Sequence, residues 1–91
     1  MRSGIQEKFL GKFGKMTINL TIISPCFNEA ENLESCSQAL RELMITKLPE
    51  VTYEHIFIDN DSTDDSVEIL EKICLIDSRV KLLVNSKKYL K

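Results

Sequence analysis

The chain has 91 residues, which leaves room for one small domain. Hydrophobic residues make up 43% and charged residues 29%, an ordinary globular balance that excludes disorder along the whole length. Lys and Arg number 12 against 14 Asp and Glu, and the net charge of −2 excludes a nucleic-acid binder driven by bulk charge.

Residues 1–15 form a separate segment by composition. They hold all three glycines, Gly4, Gly11 and Gly14, and set Arg2, Lys8, Lys12 and Lys15 against Glu7. Ile5, Phe9 and Phe13 recur every four residues. That spacing suits a short basic helix making peripheral contact with a membrane or a partner. The glycines and the terminal position favour a flexible basic extension instead. The stretch lacks the continuous apolar run of a secretory signal, and nothing later approaches the ~20 apolar residues that span a bilayer. The expected location is the cytoplasm, with the inner face of the membrane as the site of any peripheral contact.

Residues 16–91 read as the folded part. Ile18, Leu20 and Ile22 alternate with Thr17, Asn19 and Thr21, which predicts a strand over 17–24 ended by Pro25. A helix is predicted over 28–46. Leu33, Cys36, Leu40 and Leu43 form its apolar stripe, Asn28 caps it, and Glu31 stands in the capping-box position. The run YEHIFID predicts a second strand over 53–59, buried on both faces. Ser62 then caps a helix reaching about Ile76, with Val67, Leu70, Ile73 and Cys74 on one face. Residues 79–85 predict a third strand, followed by a basic tail of Lys87, Lys88 and Lys91.

The order is β-α-β-α-β. Right-handed crossovers make the strands parallel, in the order 3-2-1, with both helices on one face. This α/β arrangement is a Rossmann-like half of the three-layer type. Ile23 and Phe57 are the candidates for the helix-free face. Cys26, Cys36 and Cys74 form no CxxC or Cys/His cluster, so free thiols are expected and no metal site is indicated. His55 lies within a strand, where a structural role is expected.

Ligands of open parallel sheets sit beyond the carboxyl ends of the strands. Residues 24–29, 59–64 and 85–88 fall there. Phe27 offers an aromatic face, Asp59 a carboxylate at the tip of a buried strand, and the first helix a set of free N–H groups. Each has a plainer reading: Asn28 and Ser62 as caps, Asp64 and Asp65 as acidic residues favouring a helix start.

Taken together, SPCFNEAEN after the first strand and FIDNDSTDDS after the second resemble the opening of family-2 glycosyltransferases. The matching residues are Pro25, Phe27, Asn28 and Glu29, then Asp59, Ser62, Asp64 and, loosely, Ser66. The likeness covers residues 17–89. It implies a GT-A fold truncated to its nucleotide-sugar-binding half-domain. By this resemblance Cys26, Phe27 and Glu29 line the base pocket, Pro25 belongs to the same nucleotide site, and Asp59 accepts from the base. Asn60 stands where the family often has a second aspartate, and Lys87 approaches a phosphate. Asp61 and Asp65 replace frequent glycines, and Asp tolerates the left-handed backbone this needs at Asp61.

The family's metal-binding D-x-D and catalytic base come later than this chain reaches. No catalytic or metal residue is therefore assigned, and Mg or Mn is expected in the complete family enzyme. The partner implied is a nucleoside-diphosphate sugar, whose sugar is transferred to an acceptor hydroxyl. The alternative is a non-catalytic assembly module, a homo-oligomer or a relic completed by a partner chain that covers the open edge of the first strand. A phospho-acceptor signalling domain would need acids where Asn28 and Asn85 stand. A dinucleotide-binding domain would need the GxGxxG that this chain lacks.

Overall fold

The computed structural model describes residues 18–85. The segment 1–15, Lys87 and the rest of the basic tail lie outside the described residues. The elements follow as β1 (Leu20–Cys26), α1 (Leu33–Lys47), β2 (Tyr53–Asp59), α2 (Ser66–Ile76) and β3 (Val80–Val84). One sheet runs in the order β1-β2-β3 with both pairings parallel, as the crossover argument requires. Among the described residues no helix is long and apolar enough to cross a membrane.

The register sorts the strand residues into two faces. Ile22, His55 and Val80 form one row across the sheet, Ser24, Phe57 and Leu82 the next, and Cys26, Asp59 and Val84 the last on that side. Leu33 from α1 and Leu70 and Ile73 from α2 close over Cys26, Phe57 and Val80 to make the core. The opposite side carries Ile23, Ile56 and Lys81 in one row and Pro25, Ile58 and Leu83 in another. A polar contact crosses this side too: Thr21 donates to Glu54 at 2.7 Å, and Lys81 reaches the other Glu54 oxygen at 3.4 Å.

Several sequence expectations change here. Ile23 and Phe57 do not share the helix-free face: Ile23 is 57% exposed, whereas Phe57 is 1% exposed beneath the helices. Parallel pairing sets Ile23 beside Ile56, and Phe57, one residue on, points the other way. By the same alternation β2 is buried on its helix side and half-buried on the other, rather than buried on both.

Pro25 does not end β1, which continues to Cys26. Cys26 offers its carbonyl to Asn60 N–H at 2.9 Å, so the ladder alternation turns the backbone of Pro25 to the outer side, where no N–H is needed. Helix α1 starts at Leu33 rather than Asn28, because Asn28 has a left-handed backbone with φ of 53°. Its N-cap is Asn32, without a side-chain cap bond, and Glu31 plays no capping part. The buried face of α1 is Leu33, Ser37 and Met44; Cys36 and Leu43 are exposed. Helix α2 starts at Ser66, four residues after its expected cap, and buries Leu70 and Ile73 as its pattern predicts.

Of the buried polar side chains, Ser37 on α1 leaves its hydroxyl without a hydrogen-bond partner among the described residues, whereas His55, Asp59, Ser66 and Asp77 are partnered. Ser24 Oγ and His55 Nε2 are 2.8 Å apart, and the imidazole packs on Phe57 with ring centroids 4.1 Å apart. Asp77 accepts from Arg79 Nε at 3.1 Å and pairs with Arg41 at 3.5 Å. Burial alone would raise its carboxyl, but the bonds from Arg79 and Arg41 hold it below the ordinary 3.8.

Replacing Phe57 by Ala is expected to cost about 3–5 kcal/mol in urea unfolding, and Ile23 by Ala under about 1 kcal/mol. Equal costs would contradict the assignment of faces. Stability also depends on His55, the single histidine. Burial holds its imidazole below the ordinary 6.5, although the Asp77 charge pulls the other way. The unfolded chain therefore binds a proton that the folded chain rejects, and stability falls as pH drops below 6.5. The unfolding free energy is expected to decline between about pH 7 and pH 5, and His55→Gln to flatten that slope. A wild-type curve flat over this interval would refute the argument.

Candidate functional site

The loops that leave β1 and β2 meet at the carboxyl rim of the sheet, and hydrogen bonds knit them together. Asn28 is the centre of the first loop. Its side-chain oxygen accepts from the N–H of Thr63 at 2.8 Å and of Asp64 at 3.3 Å. Its own N–H donates to Ser62 Oγ at 2.9 Å. The next two amides follow suit: Glu29 N–H donates to Ser66 Oγ at 3.0 Å and Ala30 N–H to Asp64 Oδ2 at 3.2 Å. Asparagine suits the position because its short carboxamide tolerates a left-handed backbone and reaches neighbouring amides. Asp61 holds the matching left-handed turn in the second loop, with φ of 63°, as expected for an aspartate in the place of a glycine.

Beneath the second loop lies Asp59, with no exposed surface. Its Oδ2 accepts Ser62 N–H at 3.0 Å, and its Oδ1 accepts the Ser62 hydroxyl at 2.5 Å. The Cys26 thiol approaches Oδ1 at 3.8 Å. Burial, and next the charge of Asp59, push that thiol up to about 11, so Cys26 is a protonated wall rather than a nucleophile. The main chain of Asp59 also holds β3, since its carbonyl accepts Asn85 N–H at 2.7 Å. Asn85 Nδ2 then donates to Asn60 at 3.3 Å, so all three strand ends join at one rim. Asp64 receives the hydroxyl and N–H of Ser66, and the hydroxyl bond first among them holds its carboxyl below the usual 3.8.

The expected site residues thus divide. Pro25, Phe27, Glu29 and Asn60 are exposed at the rim, with Phe27 at 54%. Cys26 and Asp59 are buried under it. Lys87 lies outside the described residues. Sequence reasoning assigned Asn28 and Ser62 to cap their own helices; instead each serves the opposite loop or the strand end. Nothing in the local sequence signals those partners, which are 34 to 36 residues away for Asn28.

A divalent cation does not fit these residues. The side-chain oxygens of Asp59 are already engaged by Ser62 and Cys26, and among the described residues no three His, Cys, Asp or Glu gather as metal ligands. The first-loop amides Asn28, Glu29 and Ala30 are likewise engaged across the loops. The rim therefore offers an aromatic face, amide and carboxylate side chains, and a concentration of negative charge.

Comparison with known proteins agrees with this geometry. The sequence model of "Glycosyl transferase family 2" matches residues 21–91, which include both loops and all three strands but for one residue of β1. The chain belongs to that family. It is also 35% identical over 72 residues to the "Uncharacterized glycosyltransferase YkcC" of Bacillus subtilis (strain 168). The match covers 79% of this chain and 22% of that protein, so the chain spans about a fifth of the relative's length.

Replacing Asn28 by Ala removes an acceptor and leaves a Cβ in a left-handed position. The expected cost is about 1–2 kcal/mol in urea unfolding, and Asn28→Gly is expected to recover roughly half of it. A neutral Asn28→Ala variant would show that the two loops are held otherwise.

Proposed function

We propose that the knitted rim is the base-and-ribose end of a nucleoside-diphosphate-sugar site, in a protein that transfers the sugar to an acceptor hydroxyl. The observation that supports it most directly is Phe27, exposed beside the two interlocked loops at the carboxyl ends of parallel strands. Open α/β sheets take their ligands there. In this reading Phe27 stacks on the base, an interaction worth about 1–3 kcal/mol. Pro25 and Cys26 shape the floor of the pocket. Glu29 and Asn60 accept from base edges and ribose hydroxyls. Asp59 holds Ser62 and thereby positions Asn60, and Lys87 is assigned to a phosphate.

The reaction breaks the bond between the anomeric carbon and the phosphate oxygen and forms one to the acceptor oxygen. The acceptor proton goes to a base, and the leaving diphosphate takes up the electron pair. The Mg or Mn of the family enzymes would supply charge neutralisation for that leaving group. No residue described here carries the base or holds the cation, so the 91-residue chain is expected to bind nucleotide without sustaining transfer.

The test is an NMR amide-shift titration of the purified chain with UDP, GDP and CDP. Saturable shifts confined to residues 26–29 and 59–62 are expected for the preferred base. Phe27→Ala is expected to weaken that binding roughly 5- to 100-fold. Dispersed spectra that none of the nucleotides moves would sink the proposal.

A further inference from the structure

We propose that β3 is a self-pairing edge, through which two copies of this chain join antiparallel about a two-fold axis at Leu82 into one continuous sheet. Among the described residues the strand lies at the border of the sheet, next to β2 on one side only. In a parallel ladder successive residues turn their backbone groups alternately to the two sides. The carbonyl of Arg79 accepts from His55 N–H at 2.8 Å, and Asn85 N–H donates to Asp59 at 2.7 Å. The odd-numbered residues of β3 therefore face β2, and Val80, Leu82 and Val84 face outwards. Val80 N–H is already bonded to the Asp77 carbonyl at 3.0 Å. Among the described residues that leaves the Val80 carbonyl and both backbone groups of Leu82 and Val84 without a backbone partner, for an incoming strand.

This pattern restricts the register. An antiparallel pair exchanges bonds only between residues that face one another across the seam. The fullest overlap sets Leu82 opposite Leu82 and Val84 opposite Val80. Leu82 N–H then donates to the Leu82 carbonyl of the second copy, and Val84 N–H to its Val80 carbonyl, each bond repeated by symmetry. The Val80 N–H already engaged is not needed for any of these bonds. Side chains agree with the backbone. The helix-side row reads Val, Leu, Val in either direction, so it complements itself.

On the other side Lys81 falls beside Leu83 of the second copy, where its aliphatic stem covers the exposed Leu83. Its ammonium stays with Glu54 at 3.4 Å, so two like edges meet without a net repulsion. Edge strands are ordinarily blunted by proline or by an unpaired lysine. β1 carries Pro25 on its outer side, but β3 has no proline and its charge is neutralised. A groove of about 600 Å³ runs along this edge between β3 and α2, lined by Cys74, Leu75, Val80 and Leu82. Leu75 stands 87% exposed at its lip.

The pairing is small against the about 800 Å² that each partner buries in a standard interface, so dissociation in the micromolar range or weaker is expected. Sedimentation of the 91-residue chain from about 10 μM to 1 mM is expected to show a monomer passing to a dimer. Hydrogen exchange by NMR is expected to show the Leu82 and Val84 amides slowing in step. Val84→Pro deletes an outward N–H without touching the β2 ladder and is expected to abolish the dimer. Leu83→Lys, at an exposed position, removes the apolar surface that the Lys81 stem of the second copy covers and adds one unneutralised charge per copy at the seam, and is expected to weaken dimerisation at least 10-fold. A monomer at every concentration would overturn the proposal, as would slowed Thr21 and Ile23 amides in place of those of β3. Protection of Leu82 and Val84 that does not vary with concentration would assign the edge to the chain's own terminal residues. A dimer indifferent to both substitutions would equally refute it.

Discussion

A carboxylate without exposure, Asp59 at the end of the central strand, is the point on which the rim depends. A buried charge is tolerable only when its lone pairs are satisfied. Ser62 meets both oxygens, with its N–H and its hydroxyl. Once Ser62 is fixed in that way, its oxygen stands where Asn28 N–H can donate to it, and Asn28 in turn accepts from Thr63 and Asp64. The main chain of the same aspartate fixes Asn85 at the end of β3. One residue thus sets the second loop, through it the first loop, and directly the third strand.

Much of this fold is legible in the sequence because its periods are clean. β2 falls on the predicted residues, and Leu70 and Ile73 of the predicted α2 face are buried, with Val67 and Cys74 half-buried beside them. The parallel order follows from crossover handedness alone. What the sequence hides is whatever depends on pairing. Ile23 and Phe57 are both apolar strand residues, and only the register with β2 reveals that they point apart. Pro25 reads as a strand terminator until β1 is known to be an edge strand of the described sheet, with Pro25 turned to its outer side. Asn28 reads as a helix cap until its backbone is seen to be left-handed.

The site was legible as a pair of loops and less so as a set of roles. The pattern of Phe27, Glu29 and Asn60 brought exposed residues to the rim, as expected. Asp59 and Cys26 share the same motifs but lie beneath the surface, Cys26 packed into the core cluster and Asp59 held by Ser62 and Cys26, contacts that only the folded arrangement of both loops reveals. The acidic character of the rim follows from Glu29, Asp61, Asp64 and Asp65 together, with the loop amides turned inward. Under the proposed reading, such a surface suits the neutral end of a nucleotide better than its phosphates, which makes the position of any basic group decisive for how the ligand lies.

The bonds between the two loops have a consequence for the order of assembly. They join residues 34 to 37 apart in the chain, and none is local. Each therefore requires that β1 and β2 already lie side by side, since closing so long a loop for one exposed hydrogen bond is unfavourable on its own. The rim is therefore expected to form after the sheet, on a finished scaffold. By the same reasoning it is the first part to come open, so small excursions from the native state can undo the ligand-facing surface while the core beneath stays closed.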